Sequence, residues 1–457
     1  MVERMFGTNG IRGIINEDMT SDLALQMGKA IGAAVRGNVA VATDTRITAD
    51  MIKRAISAGI MSSGHSIYDL GIVPMPALQY YVKTHDFVVS GIMITASHNP
   101  PQFNGIKYIS EDGTEASRID EAKIEELYSQ DIKCVPWDKV GKVVKVEGAG
   151  ETYIDAVVSH VDVNAIREAK LKVCLDCANG SSLQTSPLLL KKLEVQAITL
   201  NANPQGVYPG HSSEPTEENL SDIIMMTKSI KPCIGVAHDS DADRCIFITS
   251  EGEYVSGDKA LALMSRYILS QKKGPVVVPI NTSSMVEDVV LESGGSIVYT
   301  SVGSPIVARK MVDTEAVFGG EENGGLIFPE MQFCRDSAMA IAKMLEFIVK
   351  VGPLSEAVSK LPEYYSIKIK IPCPIAIKKK LLEYIEALNK DCVVDHTDGV
   401  KILFDDGWVL VRPSGTEPIF RIFSESKIES VAKERAEKYE SIIWEYLDPE
   451  GSNRPSN

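Results

Sequence analysis

Three times along the chain a short apolar run rich in β-branched residues gives way to a polar loop. Residues 87–94 lead into Thr95-Ala96-Ser97-His98-Asn99-Pro100, and residues 233–237 into His238-Asp239-Ser240-Asp241-Ala242-Asp243-Arg244. Residues 316–318 lead into Gly319-Gly320-Glu321-Glu322-Asn323-Gly324-Gly325. Runs this short, apolar without alternation, predict strands buried on both faces of α/β layers. Helical patterns lie between them. Residues 21–35 carry an apolar stripe at Leu23, Met27, Ala30, Ile31 and Ala34 behind a cap at Thr20 or Ser21, and residues 119–130, 152–161 and 337–349 read similarly. Alternating strands and helices place the bulk of the chain in the α/β class. Functional loops at strand ends are where such sheets hold ligands.

Near residue 366 the pattern changes. Residues 367–371 read as a strand and 378–389 as a helix. Residues 400–404, an Asp405-Asp406-Gly407 turn and residues 408–411 form a hairpin signal, followed by a strand at 419–423 and a helix over 427–447. This last region is α+β. The polar residues 448–457 are expected to fray. A charged, glycine-bearing stretch at 139–150 and a Ser250-Glu251-Gly252-Glu253 turn mark further boundaries. The expected domains are therefore 1–150, 151–253, 254–366 and 367–457. No low-complexity segment or short-period repeat is present.

The 457 residues suit three or four domains, and 44% hydrophobic with 24% charged residues is ordinary globular composition. A net charge of −15 argues against nucleic acid or an anionic membrane as the main partner. It does not argue against a phosphorylated small molecule held in a locally basic site. The opening Met1-Val2-Glu3-Arg4 lacks a signal-peptide pattern, and no apolar run approaches the ~20 residues of a membrane span, so a soluble cytoplasmic protein is expected. Eight scattered cysteines fit free thiols. The single C-x-x-C, Cys174 to Cys177, sits in a strand-like stretch with no second pair to complete a zinc site.

Asp239, Asp241 and Asp243 carry the strongest chemical signal. In an extended loop, residues i, i+2 and i+4 share one side, which brings three hard oxygens to one cation such as magnesium. An EF-hand would need Gly at the sixth position and Glu at the twelfth, where Arg244 and Ser250 stand. A solvated acidic turn is the bland alternative, and the flanking apolar runs oppose it. Ser97 and His98 end a strand before Pro100-Pro101, but the G-x-S-x-G elbow of acyl transfer is absent. A serine-capped Asn-Pro turn would explain that hexapeptide equally well. Lys107 is a candidate proton donor or acceptor if its pKa is lowered, and otherwise a solvated lysine. Glu321 and Asn323 alternate between glycine pairs and suit vicinal hydroxyls or an amine, unless the loop is a plain hairpin. In Arg412-Pro413-Ser414-Gly415-Thr416-Glu417-Pro418, a guanidinium fork, two hydroxyls and the Gly415 amide can grip an anion, with Arg421 adding charge, against the alternative of a proline-glycine turn. Arg12 sits among three glycines in Phe6-Gly7-Thr8-Asn9-Gly10-Ile11-Arg12-Gly13 and is a further phosphate candidate. There is no Walker A motif and no G-x-G-x-x-G.

In this order the five loops closely resemble the α-D-phosphohexomutase superfamily over essentially the whole chain. The F-G-T-x-G-I-R-G, T-A-S-H-N-P, D-x-D-x-D-R, G-E-x-x-G and R-P-S-G-T-E-P motifs are jointly very specific. The resemblance implies three similar mixed-sheet α/β domains and a C-terminal α+β domain around a central cleft. It implies a phosphoryl group carried on Ser97, and Mg2+ held by Asp239, Asp241, Asp243 and a phosphoserine oxygen. Glu321 and Asn323 would read sugar hydroxyls, and Arg412, Ser414, Gly415, Thr416 and Arg421 would hold the non-reacting phosphate. Arg12, His98, Lys107 and Arg244 would surround the transferring group, with Lys107 favoured as acid/base. The implied substrate is a sugar phosphate, with a sugar 1,6-bisphosphate as intermediate and activator. The first and last motifs look most like phosphoglucosamine mutases. Asn9 in place of the usual Asp, and Glu321 to Gly325 in place of G-E-x-S-G-H, give the chain an archaeal look. Phosphomannomutase/phosphoglucomutase activity is the alternative. An inactive sugar-phosphate binder or a phosphatase would be other classes, and retention of Ser97 with all three aspartates opposes the first.

Overall fold

The computed structural model describes residues 4–7, 9–414 and 418–448. Three sheets follow one plan. Parallel strands form the centre, one of them runs into a polar loop, and the chain returns antiparallel beside it. In the first sheet the parallel strands Asn38–Thr43, Ile67–Ile72 and Val88–Ile94 lie side by side, and Val88–Ile94 turns back as Phe103–Ile109. In the second, Lys172–Asp176 pairs in parallel with Gln196–Leu200 and Ile234–His238, and the latter returns as Cys245–Ile248. In the third, Pro275–Pro279 pairs in parallel with Ser296–Thr300 and Phe318–Glu321, which returns as Gly325–Ile327. The first two apolar runs are the outgoing arms of their hairpins, whereas the third strand starts only at the end of its run, at Phe318, and takes in Gly319 to Glu321, which the sequence placed in the loop. All three strands are buried almost throughout, as layers covered on both faces require.

The fourth sheet is wholly antiparallel, in the order Tyr365–Pro372, Ile419–Ser426, Gly407–Pro413, Val400–Phe404, Val394–Asp395. Exposed and shielded residues alternate along Tyr365–Pro372. One face packs Ile371, Ile402, Val409, Val411, Phe420 and Ile422 against the helices Lys378–Leu388 and Glu429–Leu447. The other turns Trp408, Leu410 and Phe423 onto Ile280 of the third sheet. The first three sheets share a continuous apolar core that joins Leu78, Tyr153, Phe247, Leu263 and Phe318. Helix Ser337–Val351 runs through it, and its cap Asp336 also takes the Tyr153 hydroxyl.

Helices begin where capping chemistry allows. Thr20 accepts from the Leu23 amide to start Ser21–Ala34, and Ser117 with Asp120 forms a reciprocal box that starts Arg118–Tyr128. The stretch at 139–150 differs from expectation. It supplies a short strand, Val143–Lys145, that pairs with Ile67–Ile72 at the edge of the first sheet, and a helix, Ala149–Val158, that begins within it. Its charged residues are compatible with an edge because an edge strand leaves its outer side to solvent. All eight cysteines are free thiols, and Cys174 in its strand lies beside Cys233 rather than in a metal site. Among the described residues no helix is long and apolar enough to cross a membrane.

Helices Ser21–Ala34 and Ala49–Ser62 cross at Gly28 and Gly59 so closely that a Cβ on Gly28 would lie 2.2 Å from the Ile56 carbonyl oxygen. Gly28→Ala is expected to push the helices apart and destabilise the protein by about 1–3 kcal/mol. Thermal denaturation should show this as a lowered midpoint, and an unchanged midpoint would contradict the close crossing.

Candidate active site

The first two hairpins meet tip to tip. Ser97 follows strand Val88–Ile94 in a left-handed conformation, φ 49°. Its hydroxyl donates to Asp239 Oδ2 at 2.9 Å, and both residues are buried. The loop that presents Ser97 is held from below by Arg46. Its Nη2 donates to the carbonyls of Ser97 (2.7 Å) and Asn99 (2.6 Å), and its Nη1 to those of Pro100 (2.7 Å) and Phe103 (2.9 Å). Asp44 pairs with Arg46 Nε at 3.1 Å and accepts from Thr95 Oγ1 at 2.6 Å, while Thr95 Oγ1 accepts the Ser97 amide at 2.9 Å. Ser240, between two of the aspartates, donates to the Ser97 carbonyl at 2.7 Å. The serine loop and the aspartate loop are therefore one hydrogen-bonded unit.

Asp239, Asp241 and Asp243 converge, each offering an oxygen within 4.8 Å of the others. They do so by a route different from the expected one. The loop is not extended. It curls at Ala242, φ 51°, and the turn rather than strand alternation gathers the carboxylates. Asp241 Oδ1 and Asp243 Oδ1 are buried with no hydrogen-bond partner among the described residues. Buried carboxylate oxygens left without a donor suit a hard cation, so the donor set fits magnesium.

Three cations offset the remaining charge. Lys107, on the return strand Phe103–Ile109, reaches Asp241 at 2.7 Å and Asp243 at 3.5 Å. Arg244 pairs with Asp239 at 3.0 Å. Arg335 donates to Asp243, and through Nη1 to Glu321 at 2.9 Å. Burial lifts the Asp239 carboxyl well above the usual range, with Arg244 opposing and Asp241 and Asp243 adding repulsion. Burial would raise Asp241 too, but Lys107 outweighs it and holds that carboxyl below the usual range. For Lys107, burial lowers the pKa, and Asp241 and Asp243 overcome this to keep it a firm cation. The lowered pKa on which one reading of Lys107 was conditional is not found, and neither is the solvated lysine of the other, since the side chain is buried. Arg12 donates to Asn99 Oδ1 at 2.8 Å and to the Ala96 carbonyl at 3.3 Å, beside the serine.

Glu321 ends strand Phe318–Glu321, buried beside Arg335, whereas Asn323 turns to its own loop and accepts the Gly325 amide at 3.2 Å. The sugar loop lies on the aspartate hairpin, since the Cys245 amide donates to the Gly324 carbonyl at 3.2 Å. Arg412 and Arg421 lie on the fourth sheet, and Ser414 directly follows its strand Gly407–Pro413. Arg412 and Arg421 are direct cross-strand partners, and Lys370 is the next partner of Arg421, giving a lateral row of three cations. Like charges directly opposed across strands are unfavourable unless an anion sits among them. Gly415 and Thr416, expected to complete that loop, lie outside the described residues, as does Thr8 of the opening motif.

Arg335, Arg46, Asp44 and Lys370 were not singled out by the sequence. Arg335 sits at a helix start in an unexceptional Phe333-Cys334-Arg335-Asp336 context, and Lys370 is one of two lysines, with Lys368, that alternate with isoleucines. Only the Asp44-Thr45-Arg46 cluster, polar and directly following the apolar run Asn38–Thr43, repeats the strand-then-polar-loop signal that marked the other sites.

His98 Nδ1 lies 3.1 Å from Arg244 Nη2 and accepts from it, which leaves the ring proton on Nε2. Burial, and then the charges of Arg244 and Arg12, lower its pKa to about 2. His98 is therefore expected to stay a neutral Nε2–H tautomer across pH 5–9, as read by nitrogen chemical shifts in 15N-histidine-labelled protein. A titration inside that window would contradict the geometry. Below the ordinary value of 6.5 the unfolded chain takes up a proton that folded His98 refuses. This residue's contribution to stability is thus fully present above that pH and declines as pH falls toward about 2.

Family models match nearly every part of this architecture. Phosphoglucomutase/phosphomannomutase alpha/beta/alpha domains I, II and III match residues 3–133, 151–252 and 256–365, and the C-terminal domain of the same family matches 369–440. A phosphoglucomutase/phosphomannomutase of Thermococcus kodakarensis is 41% identical over 456 residues, covering 97% of this chain and 99% of that protein. A probable phosphoglucosamine mutase of Methanopyrus kandleri is 38% identical, covering 96% of this chain and 98% of that one. The crystal structure of a phosphoglucomutase/phosphomannomutase family protein from Burkholderia thailandensis superposes with a TM-score of 0.87 at 25% identity, covering 98% of each chain. With four domains matched in order and the serine, aspartate and sugar loops brought to one centre, the chain belongs to the phosphoglucomutase/phosphomannomutase family of phosphohexomutases.

Proposed function

We propose that the protein is a phosphoglucosamine mutase that interconverts glucosamine 6-phosphate and glucosamine 1-phosphate through a phosphoserine at Ser97 and a bisphosphorylated sugar. The observation that carries the mutase reading is the Ser97 hydroxyl donating to Asp239 at 2.9 Å, inside a buried set of three carboxylates and three cations. The name of the Methanopyrus kandleri relative supports the amino-sugar substrate. That of the Thermococcus kodakarensis relative favours the second reading, a phosphomannomutase/phosphoglucomutase.

Asp239, Asp241 and Asp243 would hold magnesium, which when bound would place positive charge against the phosphoryl oxygens. The chain's own residues do the rest. In the first transfer the bond from phosphorus to Ser97 Oγ breaks as a bond to the free sugar hydroxyl forms; that hydroxyl's proton passes to a carboxylate of the cluster, and Ser97 Oγ regains a proton from Asp239. Arg12 and Arg244, already fixed beside Ser97, oppose the negative charge that spreads over the phosphoryl oxygens. In the second transfer the bisphosphate has turned over. The bond from its other phosphate to the sugar breaks, the sugar oxygen takes a proton from a cluster acid, and Ser97 Oγ regains a phosphoryl group. Lys107, protonated and buried at the centre, is the acid we favour. The serine proton is already directed at Asp239 Oδ2, so no rotation is required before attack.

Glu321, fixed by Arg335, and Asn323 would read sugar substituents, while the row Arg412, Arg421 and Lys370 would hold whichever phosphate is not reacting. Ser414, Gly415 and Thr416 would add donors to that grip. Arg335 also touches Asp243, so sugar recognition and the carboxylate cluster share one guanidinium.

The test is a side-by-side mutase assay with glucosamine 1-phosphate, glucose 1-phosphate and mannose 1-phosphate, each with magnesium and a trace of the matching bisphosphate. The expected result is a kcat/KM at least about tenfold higher for the glucosamine compound, as one well-placed polar contact commonly gives. Equal or higher values with the neutral hexoses would overturn the amino-sugar assignment in favour of the second reading.

A further inference from the structure

Residues 397–401 strap the fourth domain to the third. The Thr397 carbonyl accepts from Ser301 Oγ at 2.8 Å, and Asp398 Oδ2 accepts the Val302 amide at 3.0 Å. Lys401 Nζ donates to the Ile280 carbonyl at 2.7 Å and lies over the Trp408 ring, 4.2 Å from its centroid. Ile280 and residues 301–302 follow the parallel strands Pro275–Pro279 and Ser296–Thr300, so the strap grips the loop end of the third sheet. Gly399 makes this possible. At φ 91° it lies flush on strand Gly407–Pro413, where a Cβ would come 2.5 Å from the Val411 carbonyl oxygen and 2.8 Å from Arg412 Cβ.

That seating brings Asp398 against the arginine of the phosphate row. Asp398 Oδ2 is 2.9 Å from Arg412 Nη2, and the same oxygen takes the Val302 amide. Both side chains are shielded, at 19% and 12% exposure, so the pair is not a screened surface contact. Among the described residues Arg412 Nε has no hydrogen-bond partner. Beyond the same loop, Ser304 Oγ accepts from Asn9 Nδ2 at 3.0 Å and donates to Glu115 Oε2 at 2.5 Å, both in the first domain.

We propose that Asp398 is a positioning residue for phosphate capture. It holds the Arg412 guanidinium in one orientation and ties it to loop 301–303, and through that loop to the first domain. The proposal rests on the reading that Arg412 contacts the non-reacting phosphate. An unanchored arginine would have to give up side-chain freedom on each capture, whereas one fixed through a single Nη is already oriented.

The experiment compares steady-state kinetics of the full-length wild type with Asp398→Asn, Arg412→Ala, the double variant and Ser301→Ala, using the hexose phosphate turned over fastest. Asp398→Asn can still accept the Val302 amide but no longer pairs with a charge. It is expected to raise KM about tenfold with kcat within about twofold, and to add nothing to KM in the Arg412→Ala background. Ser301→Ala removes a bond of the same strap without touching Arg412 and should leave KM as in the wild type. A wild-type KM in Asp398→Asn, or an equal KM increase with and without Arg412, would overturn the positioning role and leave Arg412 in place. An unchanged KM in Arg412→Ala would instead remove Arg412 from substrate contact, and the proposal with it.

Discussion

Three carboxylates buried together, one of them accepting from the Ser97 hydroxyl, are the constraint on which the rest of the site depends. Burying even one ionised carboxylate without a partner is strongly unfavourable, and Asp239, Asp241 and Asp243 repel one another as well. The fold meets this with cations drawn from three separate stretches of chain: Lys107 from the first sheet, Arg244 from the loop itself, and Arg335 from the start of the helix at Ser337. Two carboxylate oxygens are still left without donors, on Asp241 and Asp243. Three cations match the three carboxylates in charge, yet these two oxygens lack donors, which suits a hard cation between them.

Repetition of one hairpin explains how distant residues reach this centre. Each of the first three sheets sends a buried parallel strand outward, turns it in a polar loop and returns it antiparallel. A parallel strand rigidly packed on both faces fixes its loop well, and the antiparallel return fixes the loop's other end. Lys107 is on such a return strand, so the same hairpin that presents Ser97 also presents the lysine that pairs with Asp241. The fourth domain is built on different principles. Its sheet alternates, one face holding a private core and the other offering a row of cations at the strand register Arg412, Arg421, Lys370.

Much of this was legible in the sequence because chemistry and secondary structure changed together. A run such as 233–237 followed at once by alternating aspartates can be read as strand then site without knowing what packs above it. The reading failed where contact depends on tertiary geometry. The aspartates gather through a left-handed turn at Ala242, not through extended alternation, because a non-glycine residue adopting φ 51° leaves no sequence mark. Arg335, Arg46 and Asp398 lie in unexceptional contexts and acquire their roles only when partners more than ten residues away arrive: Glu321 and Asp243, the carbonyls of the serine loop, and Val302. The stretch 139–150 looked like a linker and contributes a strand, because three residues with only one partly buried side chain carry little pattern. Nothing in the sequence sets the direction of the Lys107 pKa, which burial lowers and two carboxylates more than restore.

The central claim is that Ser97 carries the phosphoryl group, and it is tested most directly by locating it. Protein incubated with magnesium and a 32P-labelled hexose 1,6-bisphosphate would be digested and the labelled peptide sequenced. The account predicts label on Ser97 alone, lost when unlabelled hexose monophosphate is added and absent from Ser97→Ala. Label on another residue, or turnover by Ser97→Ala at the wild-type rate, would contradict it.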